Sequence, residues 1–263
     1  MRKNTFPLMN IVFIGAGNVA THLALALKNI GHNIVQVFSR TLASAETLAN
    51  NVNAEYTNEI KNITPNADIY FYTVPDDALP LTIEHIPFKK GIHIHTAGSL
   101  SIDIFTQFQH NYGVLYPLQT FSKNKNINIQ EVPFLLEANN KYVKEILIDI
   151  TKNLSNMFFE VNSQERQRIH LSAVFACNFT NHMFVLADKI LGDIPFEILK
   201  PLITETFSKI QVLSPTQAQT GPAKREDYGI MKKHLQFLKD NEEYKQLYKK
   251  ISESIIKHNH KSI

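Results

Sequence analysis

The stretch Asn10-Ile11-Val12-Phe13-Ile14-Gly15-Ala16-Gly17-Asn18-Val19-Ala20 decides how the chain is read. A short apolar run, then G-x-G-x-x-A, then apolar residues at helical spacing describe a strand, a tight turn and a helix. That order points the free backbone N–H groups of a helix N-terminus at a dinucleotide pyrophosphate. Gly15 permits the turn, Gly17 lets backbone approach the phosphates, and Ala20 lets helix and strand pack closely. Ala16, Asn18 and Val19 fall on the same turn and are expected to line the cofactor with them. A glycine turn in some other α/β protein is the bland alternative. The position at the head of an alternating strand–helix pattern favours dinucleotide binding.

Outward from that turn, Val19, Leu23, Ala26, Leu27 and Ile30 follow helical spacing, and Gly31 supplies a stop. Residues 34–38 read as a buried strand, 41–50 as a helix, 54–57 as a short strand, 68–74 as a strand ended by Pro75, and 91–96 as a fifth strand. This alternation predicts an α/β fold with a doubly wound, mainly parallel Rossmann sheet. Residues 112–115, 132–137 and 157–161, with a helix over 141–154, extend the same sheet. The character changes after Asn162. A helical pattern over 163–191 is apolar nearly all round through Val174-Phe175-Ala176-Cys177, which predicts a central buried helix. Helices over 196–213, 226–239 and 243–258 follow, with a polar loop at 214–224. The expected organisation is a dinucleotide-binding domain over residues 1–161 and an all-α domain over 162–263 for substrate binding or dimerisation.

Composition is that of an ordinary globular protein, with 44% hydrophobic and 19% charged residues in 263. The net charge is +3, and from Lys224 onward ten Lys/Arg stand against six Asp/Glu. A dispersed excess on helices reads as a solvated face, so no nucleic-acid partner is expected. Cys177 is the only cysteine and cannot form an internal disulfide, which fits a reducing compartment. Met1-Arg2-Lys3 followed by apolar residues looks superficially like a secretory signal. Pro7 and Asn10 interrupt that run, and no small-residue cleavage site follows. No stretch approaches the ~18 apolar residues of a membrane span. The expectation is a cytoplasmic protein without a membrane partner.

At the end of the second strand, an NAD-binding domain usually carries an acid for the ribose hydroxyls. This chain carries Ser39-Arg40-Thr41 instead. With no carboxylate to repel a 2′-phosphate, and a guanidinium and hydroxyls to bind it, the cofactor is expected to be NADP. Ligands in such sheets bind at the C-terminal strand ends, where two loops stand out. Val74-Pro75-Asp76-Asp77 either contacts the cofactor or simply starts a helix. His95-Thr96-Ala97-Gly98-Ser99 is small and hydroxylated around a glycine, which suits close approach of a nicotinamide or substrate. His93 and His95 share a strand face without a carboxylate or cysteine at ligand spacing, so no metal is expected. Tyr116-Pro117-Leu118-Gln119-Thr120-Phe121 is a turn-like break that either lines the cleft or forms a packing corner.

With these segments together, the chain resembles a bacterial family of Rossmann-like oxidoreductases with a helical C-terminal domain of unknown function. Wider relatives include pyrroline-5-carboxylate reductase, ketopantoate reductase, deazaflavin-dependent NADP reductases and β-hydroxyacid dehydrogenases. The resemblance runs over nearly the whole chain: Gly15 to Ala20, Ser39-Arg40, Val74-Pro75-Asp76, His95 to Ser99, Pro117 to Phe121, His170 to Asn181, and Gly221-Pro222-Ala223-Lys224-Arg225. One departure is Glu226, where the pattern leads one to expect glycine. The resemblance implies a nicotinamide-binding domain, a helical domain that often supports dimers, and no established substrate.

In the hydroxyacid relatives, a lysine and an asparagine on the first long helix of the second domain meet the substrate. Here that helix offers His170, Asn178, Asn181 and His182, with no lysine before Lys189. At ~100° per residue, these four fall within a sector of roughly 120°. A buried polar stripe needs protein partners or a ligand. His170 is the candidate proton donor to a carbonyl or imine, and Asn178 the candidate orienting residue. Both side chains are equally compatible with bonding to a neighbouring helix. His95, Ser99, Gln119 and Arg225 are the candidate substrate contacts, and Val74, Pro75, Thr96, Ala97 and Gly98 join the cofactor set. The function expected is hydride transfer between NADP(H) and a small carbonyl, imine or hydroxyacid, in a homodimer formed through the helical domain. A non-catalytic NADP-binding regulator or dimerisation protein is the competing reading.

Overall fold

The computed structural model describes residues 7–260. The signal-like Met1-Arg2-Lys3 start therefore lies outside the described residues. Eight strands form one sheet in the order β3-β2-β1-β4-β5-β6-β7-β8. In chain order they are β1 (Asn10–Ile14), β2 (Asn33–Phe38), β3 (Glu55–Thr57), β4 (Ile69–Tyr72), β5 (Ile92–His95), β6 (Tyr112–Pro117), β7 (Phe134–Ala138) and β8 (Phe158–Glu160). The strands up to β6 pair in parallel, β7 runs antiparallel to β6, and β8 is parallel to β7. The reversal follows from the connection. Residues 118–133 hold only a 3-10 turn, Ile129–Glu131, and no crossover helix to carry the chain back.

The sheet is buried on both faces because its strands are continuous apolar runs. Ile11 and Phe13 of β1 join one core cluster, while Val12 and Ile14 join the other, as strand alternation requires. The first cluster packs under α1 (Asn18–Asn29) and α2 (Leu42–Val52). The second includes Leu79 and Ile83 of α3 (Leu79–Glu84), a short helix that hydrophobic spacing does not reveal. Helix α4 (Lys141–Leu154) is capped by the Asn140 side chain, which accepts from the Val143 N–H, and buries Val143, Ile146, Leu147, Ile150 and Leu154.

Beyond β8 runs a long helix, made of α5 (Ser163–Ala173), a π-helical stretch (Val174–Phe179) and α6 (Thr180–Leu191). It opens on a reciprocal cap in which Asn162 accepts from the Glu165 N–H and Glu165 accepts from the Asn162 N–H. Two expectations are corrected here. The helix is not buried: Leu171 is 58% exposed, Phe175 62% and Phe179 49%, and Cys177 is also exposed. An apolar girdle reads the same in sequence whether its partner is the chain's own core or something outside it. At 29 residues, Ser163–Leu191 is also long and apolar enough to cross a membrane by length and composition, contrary to the reading that no stretch approaches this.

The chain divides into two compact units between Met183 and Phe184. The expected boundary after residue 161 lies between β8 and α5, inside the first of these units. The second unit contains α7 (Lys200–Val212), α8 (Pro215–Ala218), α9 (Tyr228–Phe237) and α10 (Glu242–His260). Helix α8 lies within the expected polar loop and is closed by a reciprocal Ser214–Gln217 cap. Glu226 adopts φ 56°, the left-handed conformation that the glycine expected there would take freely, so the turn keeps its shape without the glycine. Asp227 then caps α9 by accepting from the Ile230 N–H.

Candidate active site

The glycine turn is held from two sides, by Phe38 and Thr73. The Gly15 N–H donates to the Phe38 carbonyl at 2.8 Å, and the Thr73 hydroxyl donates to the Gly15 carbonyl at 3.1 Å. Gly15 has φ 117°, and a Cβ there would stand 2.6 Å from the Thr73 carbonyl oxygen. No other residue fits that position without moving the β1 and β4 ends apart. At Gly17 a Cβ would meet only that same oxygen, at 3.9 Å, so the protein leaves this side open. Gly17 is the N-cap of α1, with no side-chain cap and no acid in the first turn, so the first N–H groups of the helix remain free for an anion.

These residues line a cleft of about 690 Å³, within the range of cofactor sites. The expected Gly15, Ala16, Gly17, Asn18, Val19, Ser39, Arg40, Thr41, Val74, Pro75, Thr96 and Ala97 all lie on its wall. Gly98 stands just behind, packed against Tyr116 and His170. The loop after β4 forms a 3-10 turn (Asp76–Ala78) without a side-chain cap. Asp76 instead takes a hydrogen bond from the Ser99 hydroxyl, tying the loops after β4 and β5 together.

A second cavity of about 380 Å³ is lined by Tyr116, Gln119, Phe121, His170, Cys177 and Asn178, among others. His170, Asn178 and Gln119 thus line one cavity. Asn181 and His182 are exposed and line neither cavity. The Tyr116 hydroxyl bonds His170 Nδ1 at 2.9 Å, and the rings meet edge to face. Burial, and then the Asp76 charge, push the Tyr116 phenol above its ordinary value, so it stays protonated, and the imidazole tautomer sets which partner donates. The sequence placed Tyr116 in a segment that either lines the cleft or forms a packing corner, without giving it a role of its own.

His95 lies elsewhere. It is fully buried, its ring stacks on Phe105, and its Nδ1 accepts from the Ala97 N–H at 3.1 Å. Burial, and then the Arg166 charge, hold it down at about 3. A neutral His95 pins the loop that carries Thr96 to Gly98 and has no face on either cavity. His93 is likewise buried and held at about 4 by burial, accepting from the Tyr72 hydroxyl at 2.9 Å. Among the described residues no group of three His, Cys, Asp or Glu is placed to hold a metal.

Arg166, which the sequence reading passed over, is fully buried at the start of α5. Its guanidinium donates to the Glu137 carboxylate and to the Leu100 carbonyl. Glu137 also accepts from the Ser163 N–H and hydroxyl. Gln167 reaches the Ser99 carbonyl at 2.9 Å. These bonds fasten the first turn of α5 to β7 and to the loop after β5, one turn before His170. Arg225 is exposed in the second unit and lines neither cavity.

A glycine-turn cleft at the switch of a doubly wound sheet defines a Rossmann dinucleotide-binding fold, here with a second cavity lined by His170, Asn178 and Gln119 among apolar side chains. Residues 10–114 match the family described as NADP oxidoreductase, coenzyme F420-dependent, and residues 132–255 match a domain of unknown function, DUF2520. A Bacteroides fragilis protein described as an NADP oxidoreductase is 42% identical, over 95% of this chain and 98% of that one, with a TM-score of 0.90. This chain belongs to that family of NADP oxidoreductases. A Thermotoga maritima protein (22% identity, 96% and 98% covered, TM-score 0.72) shares the fold. So does an imine reductase from Myxococcus stipitatus in complex with NADP+ (14% identity, 96% and 93% covered, TM-score 0.67). No curated protein sequence matches the chain.

Proposed function

We propose that the protein reduces a small carbonyl or imine compound with NADPH, or runs the reverse oxidation of the matching alcohol or amine. Bound in the glycine-turn cleft, NADPH supplies the hydride. The chain's residues fit that cofactor: the free N–H groups at the α1 N-terminus would hold the pyrophosphate, and Arg40 with Ser39 and Thr41 would hold the 2′-phosphate, with no acid among the three.

The observation that carries the reading is the Tyr116–His170 pair on the wall of the second cavity. With Nδ1–H of the protonated imidazole held by the Tyr116 oxygen, Nε2 gives its proton to the substrate oxygen or nitrogen and a neutral imidazole is left. Asn178 and Gln119 orient the substrate through their amides. Ser99 acts through Asp76, fixing the loop between the cavities, and His95 holds the Thr96–Gly98 loop in place rather than touching substrate.

Support for pairing comes from the exposed apolar side chains of the long helix, Leu171, Phe175 and Phe179, and separately from Ile198, Leu202 and Val212 of the second unit. The helical region accordingly pairs two copies of the chain. Residues 162–263 serve as the substrate and dimerisation part.

The test is thermal shift with NADPH and NADH, then NADPH oxidation against ketones, imines and keto acids, with mass measured by light scattering. Saturating NADPH at 100 times its Kd stabilises by ~2.7 kcal/mol. NADPH binding with no turnover across the panel replaces this reading with that of a non-catalytic nucleotide-binding protein.

A further inference from the structure

Lys123 stands on the wall of the dinucleotide cleft although it comes from the loop after β6, more than a hundred residues after the glycine turn. Among the residues lining that cleft, it and Arg40 are the only lysine or arginine. Among the described residues, neither forms an ion pair.

The position of Lys123 is built. Asn18 Nδ2 donates to the Phe121 carbonyl at 2.9 Å, and His22 Nε2 bonds the Ser122 carbonyl at 3.0 Å. The His22 and Phe121 rings lie 5.1 Å apart. Three contacts from the first turns of α1 therefore hold the two residues that precede Lys123 against the helix whose free N–H groups point into the cleft. Arg40 approaches from β2, on the opposite side of β1 from β4, β5 and β6. The two cations thus reach the cleft from different elements, Arg40 from the end of β2 and Lys123 from the strap held on α1.

We propose that Lys123 is a pyrophosphate-binding residue, brought over the N-terminus of α1 by the strap Gln119–Lys123, while Arg40 reads the 2′-phosphate. The proposal rests on the cleft holding NADP. A dinucleotide phosphate carries its negative charge at two separated places, the pyrophosphate and the adenosine 2′-phosphate. One flexible ammonium beside the helix N-terminus and one guanidinium at the β2 end match that division. A cation near the pyrophosphate compensates charge common to NADPH and NADH, so it sets affinity without setting the choice between them.

The experiment is titration of the full-length protein with NADPH and with NADH, for the wild type and for Lys123→Ala, Lys123→Arg and Arg40→Ala. Lys123→Ala is expected to weaken both cofactors by the same factor, about three- to tenfold, and Lys123→Arg to restore most of it. Arg40→Ala is expected to weaken NADPH far more than NADH. Unchanged affinity in Lys123→Ala, or a loss confined to NADPH, overturns the assignment of Lys123 to the pyrophosphate. A wild type that binds neither cofactor overturns the NADP reading itself, and is distinguished by that control. Unliganded melting of each variant separates lost binding from lost fold, since Lys123 is exposed.

Discussion

Gly98 and His170 touch so closely that a Cβ on Gly98 would stand 2.6 Å from His170 Nδ1 and 2.9 Å from Cζ of Tyr116. The missing side chain makes the room in which the pair meets. Gly98→Ala is expected to force the imidazole away from the tyrosine and to destabilise the fold by about 1–3 kcal/mol. Cofactor affinity should change much less than turnover. Chemical denaturation and NADPH titration of one variant preparation check both halves, and a variant with wild-type turnover would contradict the steric argument.

His170→Gln should lower kcat by roughly 10²–10⁴ on any substrate the wild type reduces, with NADPH affinity unchanged, because general acid catalysis has that size. Tyr116→Phe keeps the ring and removes the bond to Nδ1. Its expected effect is a smaller fall in kcat with a shifted pH profile, since the phenol positions the imidazole rather than reacting. Turnover by His170→Gln at the wild-type rate would remove the residue from the chemistry.

His93 and His95 are held at about 4 and about 3 by burial, against ~6.5 in an unfolded chain. Above pH ~6.5 both states are neutral and the full stability is present. As pH falls below that value, the unfolded chain takes up protons that the folded one refuses, so stability is lost progressively down to the folded values. Each group costs up to ~1.4 kcal/mol per pH unit in that window. Urea midpoints measured from pH 7 to pH 5 should fall, and His93→Gln should reduce the slope. Parallel slopes for wild type and variant would rule out the buried histidine as the cause.

Glu226 sits at φ 56° while its carboxylate accepts from the Tyr228 hydroxyl at 3.2 Å and pairs with His260 at 3.0 Å. Comparing Glu226→Ala with Glu226→Gly separates backbone from side chain, because both remove the carboxylate and only glycine adopts that conformation freely. The glycine variant should be the more stable by ~1 kcal/mol. Equal melting curves would show that the left-handed turn carries no strain.

Breaking the Arg166–Glu137 pair should be costlier. Arg166→Met leaves the Glu137 carboxylate, 14% exposed, without its main partner, and a loss of ~3–5 kcal/mol is expected. Pairing it with Glu137→Leu should recover much of that stability. If the double variant is no better than the single, the arginine acts through its contact with the Leu100 carbonyl instead.

The sheet was legible because parallel strands buried on both faces leave unbroken apolar runs, bounded here by Gly31, Pro75 and Gly91. The dinucleotide turn was legible because a fingerprint of that kind is local. Residues that meet only in three dimensions were harder to read. Tyr116 reaches His170 across 54 positions and Asn18 reaches Phe121 across 103, and no spacing rule connects them. His95 drew attention by sitting in a small polar loop, yet strand alternation turns it inward against Phe105. The girdle around Phe175 was misread because apolarity reports that a surface avoids water, not which molecule covers it.

Tyr116, Gln119, Phe121 and Lys123 belong to one unbroken run of eight residues that leaves the end of β6 and lies along α1. Its first part walls the smaller cavity and its last residue reaches the cofactor cleft. A single short segment is thus a shared wall of both cavities, so a substitution within it alters two binding surfaces at once.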